Sequence, residues 1–392
     1  MSGRIPELDG VRGMAILLIL IDHYIYGGLG AARETSWGAV LRDIFPLAWS
    51  GVDLFFVLSG FLIGGILIDN RNSDGCLKTF YIRRACRILP LYFVWISLFF
   101  VLARLLSGCA FSGWYGEELA PLPHLHAWKY FLFLQNFHFA KVNEFGPIWT
   151  GITWSLCVEE QFYLLMPLII LLTPPRKLPW VAGVLLLAGC ACRISLYLHS
   201  SALTYVLLPC RSDGLLLGVL CACWVRHPGA IAWLQRRVDW LYLAFAILGA
   251  GVVALTVLAR SLDVGAFTDW NSFEMNAVGY LCIDAFYACL LLLVLTAQTS
   301  LIARAMRFPL LRHFGVISYC MYLIHCVVLQ SLDWWILAGP PKMMNWPVTL
   351  LAFFVTWGLA ALSWKFFEKP IINWGHSFTY REPAKLALAP QA

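Results

Sequence analysis

Apolar and polar residues fall in blocks along this chain rather than being mixed as in a water-soluble domain. Apolar runs of roughly 20 residues, long enough to cross a bilayer as a helix, recur at 9–30, 48–69, 88–107, 152–173, 179–198, 205–226, 239–259, 275–297, 314–336 and 347–367. The pattern predicts an all-α integral membrane protein, a polytopic bundle of about ten transmembrane helices. A stretch near 127–139 is too short to span. It predicts a re-entrant or interfacial segment inside the long connection from Ser107 to Gly151. Rings there, among them Trp114, Tyr115, Trp128 and Phe137, suit either a floor for a sugar or lipid-like acceptor or an aromatic belt at the membrane surface.

Composition agrees with the pattern. Of 392 residues, 60% are hydrophobic and 13% charged, and the mean hydropathy is +0.74, far from the balance of a soluble domain. The first run is long and is followed at once by others, so it is expected to span the membrane rather than to be cleaved as a signal peptide. The net charge of +6 is no sign of nucleic-acid binding, because the Lys and Arg residues cluster in alternate short connections. These include Arg71, Lys78, Arg83, Arg84 and Arg87; Arg226, Arg236 and Arg237; and Arg304, Arg307 and Arg312. That alternation predicts that both termini are cytoplasmic. The 13 cysteines are scattered through apolar runs with no metal-ligand spacing, so neither a metal site nor a disulfide framework is expected. Residues 1–370 read as one transmembrane domain and 371–392 as a short, disordered cytoplasmic tail. No internal repeat of the transporter kind is visible.

Ionisable residues inside the apolar runs are the candidate chemistry, since each is costly in a bilayer. Arg12 and His23 lie eleven residues apart in the first run. That is about three helical turns, so the two would share a face some ~16 Å apart along the axis. Asp22 would point roughly 100° away from His23 on a regular helix and is discounted as its partner. Asp53, near the start of the second run, needs a partner of its own, and His23 is one candidate; Gly60 and Gly64 at GxxxG spacing suggest close helix packing. Arg84 and Arg87 share a face at i and i+3, with Arg83 near enough to assist. Such a guanidinium cluster suits bidentate phosphate binding or, equally, simple membrane orientation. Ser155, Glu159 and Tyr163 form a polar stripe beside Glu160, and Ser318, Tyr322 and His325 form another. Arg193, Arg211, Asp213 and Asp284 read by default as a structural charge network.

In series, LDGVRG (Leu8 to Gly13), the Arg12 to His23 arrangement, GVDLFFVLSGFLI (Gly51 to Ile63), RRACRILP (Arg83 to Pro90), WSLCVEEQFY (Trp154 to Tyr163), RSDGLLLG (Arg211 to Gly218), ISYCMYLIH (Ile317 to His325) and FFEKP near Pro370 resemble the acyltransferase-3 family of integral membrane acyltransferases. The resemblance covers nearly the whole chain. It implies a multi-pass protein of the bacterial inner membrane that takes acyl-CoA, usually acetyl-CoA, from the cytoplasm. The acceptors it implies are hydroxyls of carbohydrates, cell-envelope polymers or secondary metabolites. Some members continue into an extracellular hydrolase-like domain; none is expected in these residues. By that resemblance Arg84 and Arg87, with Arg12 and Arg83 assisting, bind the CoA phosphates, and His23 is the general base. Glu159 or Asp53 would orient the imidazole, while Ser318, Tyr322 and Tyr163 are candidate oxyanion donors. The competing class is a secondary transporter or exporter of a lipid-linked glycan or small metabolite, which would use the same buried charges as a relay.

Overall fold

Each apolar block forms a helix, because in a bilayer the backbone must satisfy its own hydrogen bonds. The computed structural model describes residues 5–26, 47–106, 126–197, 199, 201–261, 272–337 and 344–380. The long helices are α1 (Pro6–Ile21), α2 (Gly51–Asn70), α3 (Cys76–Leu106), α4 (Trp154–Leu172), α5 (Leu178–Tyr197), α6 (Leu208–Arg226), α7 (Val238–Ser261), α8 (Tyr280–Thr296), α9 (Pro309–Leu337) and α10 (Trp346–Ser363). Among the described residues, eight helices are long and apolar enough to cross a membrane. A ninth follows if Ala230–Arg236 and the start of α7, bent by 75°, are taken as one span. Helix α1 is shorter, but it continues without a break into a π-helical turn, Asp22–Tyr26. The ten expected runs each fall on one of these helices.

Burial separates the helices into a centre and a rim. The central windows of α2, α6 and α8 are each 67% buried, against 22% for α3 and α5, whose outer faces leave Val94, Val101, Trp180 and Leu187 exposed to the bilayer. Glycine sets the two closest central contacts. A Cβ at Gly60 would strike the backbone carbonyl of Leu215, and one at Gly218 would strike that of Val57, so α2 and α6 touch main chain to main chain. Gly13 and Gly315 do the same for α1 and α9, where a side chain would meet the carbonyls of Leu311 and Asp9.

The buried charges pair across helices. Arg211 reaches Asp53 at 2.5 Å and Arg193 reaches Asp213 at 2.6 Å, all four residues being almost wholly buried. The Arg193 guanidinium also donates to the carbonyls of Asn276 and Cys210. Asp53 is therefore a member of the structural network, and its proposed place beside His23 is corrected: a carboxylate engaged by a buried guanidinium is held where that guanidinium is, on α6. At one end of the bundle, Arg226 grips Asp69 through two hydrogen bonds of 2.7 Å, and Arg307 pairs with Glu7.

Two further expectations meet the structure. The short apolar stretch forms two helices, Ala127–Phe131 and Gln135–Val142, packed on the bundle rather than lying loose. Tyr92 donates to the Tyr130 carbonyl, Gln135 donates to Tyr92 and Thr153, and Phe133 stacks on Tyr92. Trp114 and Tyr115 lie outside the described residues. Of the segment from 371, expected to be disordered, residues 371–376 belong to the helix Lys369–His376, and 381–392 lie outside the described residues. The chain just after that helix is fastened by Arg83, whose Nε donates to the Phe378 carbonyl at 2.8 Å while its guanidinium covers the Tyr380 ring.

Candidate active site

Helices α1, α2, α3, α4 and α9 border a partly open cavity, about 750 Å³ with its open solvent included, lined by Arg12, Arg84, Arg87, Ser59, Ser155, Glu159, Tyr163, Ser318 and Tyr322 together with Val52, Phe55, Phe56, Leu62, Ile88, Leu156 and Tyr319. Most of the residues singled out from the sequence are thus brought together. The exceptions are informative. Arg83, one residue from Arg84, faces away and ties down the C-terminal segment, so it is removed from the set of anion ligands. Asp53 is engaged elsewhere. His23 does not line the cavity.

The arginines make few direct contacts. Among the described residues Arg84 and Arg87 have no hydrogen bond or ion pair to the protein; Arg84 only overlies the Tyr163 ring at 5.7 Å. Arg12 has Asp9 at 3.5 Å, a long contact made within its own helix. Glu159 shares the cavity and Glu368 lies near Arg87, so opposing charge is close by, but neither Arg84 nor Arg87 is held in an ion pair among the described residues, which leaves guanidinium donors of the kind that suit phosphate oxygens.

The polar stripe of α4 supplies the rest of the wall. Glu159 accepts a hydrogen bond from Ser59 at 2.7 Å, and Tyr163 donates to the same serine at 3.2 Å. Tyr322 donates to the Ile152 carbonyl at 2.8 Å and lies 2.7 Å from the Ser155 hydroxyl. Ser318 donates to the Gly315 carbonyl. All three candidate oxyanion donors therefore face the cavity with their protons already committed to protein acceptors.

His23 stands one step beyond. The π-helical turn alters the angular spacing that a regular helix would impose and sets His23 and Tyr24 against α9. His23 Nδ1 lies 2.8 Å from His325 Nε2, and Tyr24 donates to the His325 carbonyl while bonding the Thr356 hydroxyl at 2.8 Å. His325 is completely buried, with its ring 5.8 Å from that of the cavity-lining Tyr322. The Asp22 carboxylate comes to 3.9 Å from His23 Nε2, so Asp22, discounted on its angle around the helix, is nonetheless a close neighbour of the imidazole. Among the described residues neither Glu159 nor Asp53 is bonded to the imidazole, whose neighbour is His325. The sequence displayed His325 on a polar face, but its partner becomes clear only with the π-turn.

His23, His325 and the Cys326 thiol offer atoms within 4.8 Å of one another. Two nitrogens bound tetrahedrally to one zinc ion would stand about 3.3 Å apart given Zn–N bonds of ~2.0–2.1 Å. The 2.8 Å between the two imidazoles is within hydrogen-bond range.

A bundle that is all-helical among the described residues, with long apolar helices, an arginine-lined cavity and a linked histidine pair beside it, defines a polytopic membrane protein. The acyltransferase-3 model, described as an acyltransferase domain, matches residues 5–365, and the chain belongs to that family. It is 27% identical over 394 residues to the Bacillus subtilis protein named "Putative peptidoglycan O-acetyltransferase YrhL", covering 96% of this chain and 56% of that protein. To the peptidoglycan O-acetyltransferase OatA of Listeria monocytogenes it is 26% identical over 380 residues, 94% of this chain and 56% of that protein. The chain thus spans little more than half the length of these relatives. No solved structure matches it.

Proposed function

We propose that the protein transfers an acyl group, acetyl in the first instance, from acyl-CoA to a hydroxyl of a cell-envelope carbohydrate. The observation that carries this reading is the pair Arg84 and Arg87, which have no hydrogen bond or ion pair among the described residues and share a cavity with Arg12. Phosphate groups of CoA would satisfy these guanidiniums bidentately, with the adenosine end toward the end of α3 that bears them. The pantetheine arm would run along α1. The ~16 Å from Arg12 to His23 along that helix matches the reach of an extended arm, and the acyl group passes Ser155 and Tyr322 to approach His23. A basic end of the bundle facing the cytoplasm agrees with the charge pattern of the connections.

The chemistry then needs one base. His23 Nε2 takes the proton of the acceptor hydroxyl as its oxygen attacks the thioester carbon. The carbon–sulfur bond breaks, the CoA thiolate leaves, and the proton held on His23 neutralises it. No acyl-enzyme is required. Asp22, 3.9 Å from Nε2, stabilises the imidazolium while it lasts. The names of these relatives point to peptidoglycan as the acceptor to try first.

The test is transfer by the purified protein of an isotopically labelled acetyl group from acetyl-CoA to peptidoglycan fragments, with other glycans and hydroxylated small molecules as a panel, read by mass spectrometry. Labelled ester in the acceptor that vanishes in His23→Ala supports the proposal. Proton-coupled flux of a solute through liposomes, with no labelled product from any acceptor, supports a transporter instead.

A further inference from the structure

We infer that His325 is a positioning residue that holds His23 in the tautomer whose Nε2 carries the lone pair. The inference rests on the reading of His23 as the base. It follows from tracing donors and acceptors outward from the buried end of the pair.

His325 Nδ1 lies 2.7 Å from the Tyr322 carbonyl and 3.2 Å from that of Met321. A carbonyl oxygen only accepts, so Nδ1 bears the hydrogen. In a neutral imidazole the other nitrogen is then an acceptor, and His325 Nε2 must receive a proton from its neighbour at 2.8 Å, His23 Nδ1. The Cys326 thiol, 3.3 Å from the same Nε2, is a weak donor and agrees with that assignment. With its one hydrogen on Nδ1, His23 is left with an unprotonated Nε2. The opposite tautomer would require an imidazolium on a residue that is 0% exposed within α9, and a membrane interior disfavours such a charge.

The ring that sets the tautomer is itself immobilised. It is fully buried, bonded to its own helix, and tied to the π-turn a second time through the Tyr24 hydroxyl on the His325 carbonyl. His23, by contrast, is partly accessible, with 38% of its side chain exposed. The buried histidine is thus fixed and the accessible one is aimed. A hydrolase triad gives this orienting task to a carboxylate, and the wrong tautomer there costs about 10⁴-fold in kcat. A neutral imidazole in the same place orients without adding a charge.

Selective ¹⁵N labelling of histidine, with the His23 resonances assigned by their loss in His23→Gln, tests the tautomer directly in the resting protein. A proton on Nδ1 of His23 is expected, and a proton on Nε2 overturns the inference. Variants add a kinetic arm. His325→Leu removes the acceptor, whereas His325→Gln can present its amide oxygen to His23 Nδ1. With folding checked by thermal unfolding, His325→Leu should lower kcat by roughly 10²–10⁴-fold and leave the KM for acetyl-CoA unchanged. His325→Gln should recover at least about tenfold of that loss. Equal losses in the two folded variants, or a loss confined to KM, overturn the assignment; if the leucine variant does not fold, the labelling result and His325→Gln decide. Failure of the base reading looks different: His23→Ala would transfer acetyl at the native rate whatever tautomer the spectra show.

Discussion

Asp53 and Arg211 join α2 to α6 through a contact of 2.5 Å in which both side chains are almost completely buried. Removing one partner of such a pair leaves an uncompensated charge in the interior. Asp53→Ala is therefore expected to destabilise the protein by about 3–5 kcal/mol, read as loss of folded protein on heating in detergent. Adding Arg211→Met should restore much of the loss, because replacing both members costs far less than breaking the pair. If Asp53→Ala melted like the native chain but lost activity, the carboxylate would belong to the chemistry after all.

Three neighbouring arginines are expected to behave in two ways. Arg84→Ala and Arg87→Ala each remove a charge-assisted contact worth about 1.5–3 kcal/mol, which corresponds to a rise of roughly ten- to a hundredfold in the KM for acetyl-CoA. Arg83→Ala should leave that KM unchanged. It should instead expose the segment from His376 to Tyr380 to limited proteolysis, since its guanidinium holds the carbonyls of Phe378 and His376. Steady-state kinetics and digestion of the same three variants separate these roles.

The glycine contacts predict position-specific damage. A side chain at Gly60 has nowhere to go but into the Leu215 carbonyl, so Gly60→Val should cost at least about 1–3 kcal/mol. Gly183 on the lipid-facing helix α5 has nothing within 4 Å of such a side chain, and Gly183→Val serves as the control. Comparable melting of the two variants would contradict the close main-chain packing of α2 on α6.

Much of this was legible in the sequence, for reasons that can be named. Helices and their extent follow from apolar run length, the packing of Gly60 from its four-residue spacing to Gly64, and the shared face of Arg84 and Arg87 from their three-residue spacing. What could not be read was long-range pairing. Nothing near Asp53 in the chain says that its partner is Arg211, more than 150 residues away, rather than His23. The π-turn at Asp22–Tyr26 was equally hidden, as was the 3.9 Å approach of the Asp22 carboxylate to His23. His325 was visible as part of a polar face, but its bearing on His23 depends on that same turn. Arg83 shows the reverse limit, since a basic residue beside two cavity arginines looks like a third until the C-terminal segment is seen to use it.

The account stands on the arginine cavity as the acyl-CoA site, and the most direct test is the equilibrium affinity of CoA for the purified protein, measured by isothermal titration calorimetry. Binding is predicted for the native chain and for His23→Ala, with loss of at least about tenfold in affinity in the Arg84→Ala/Arg87→Ala double variant. CoA that failed to bind the native protein, or bound the double variant equally well, would contradict it.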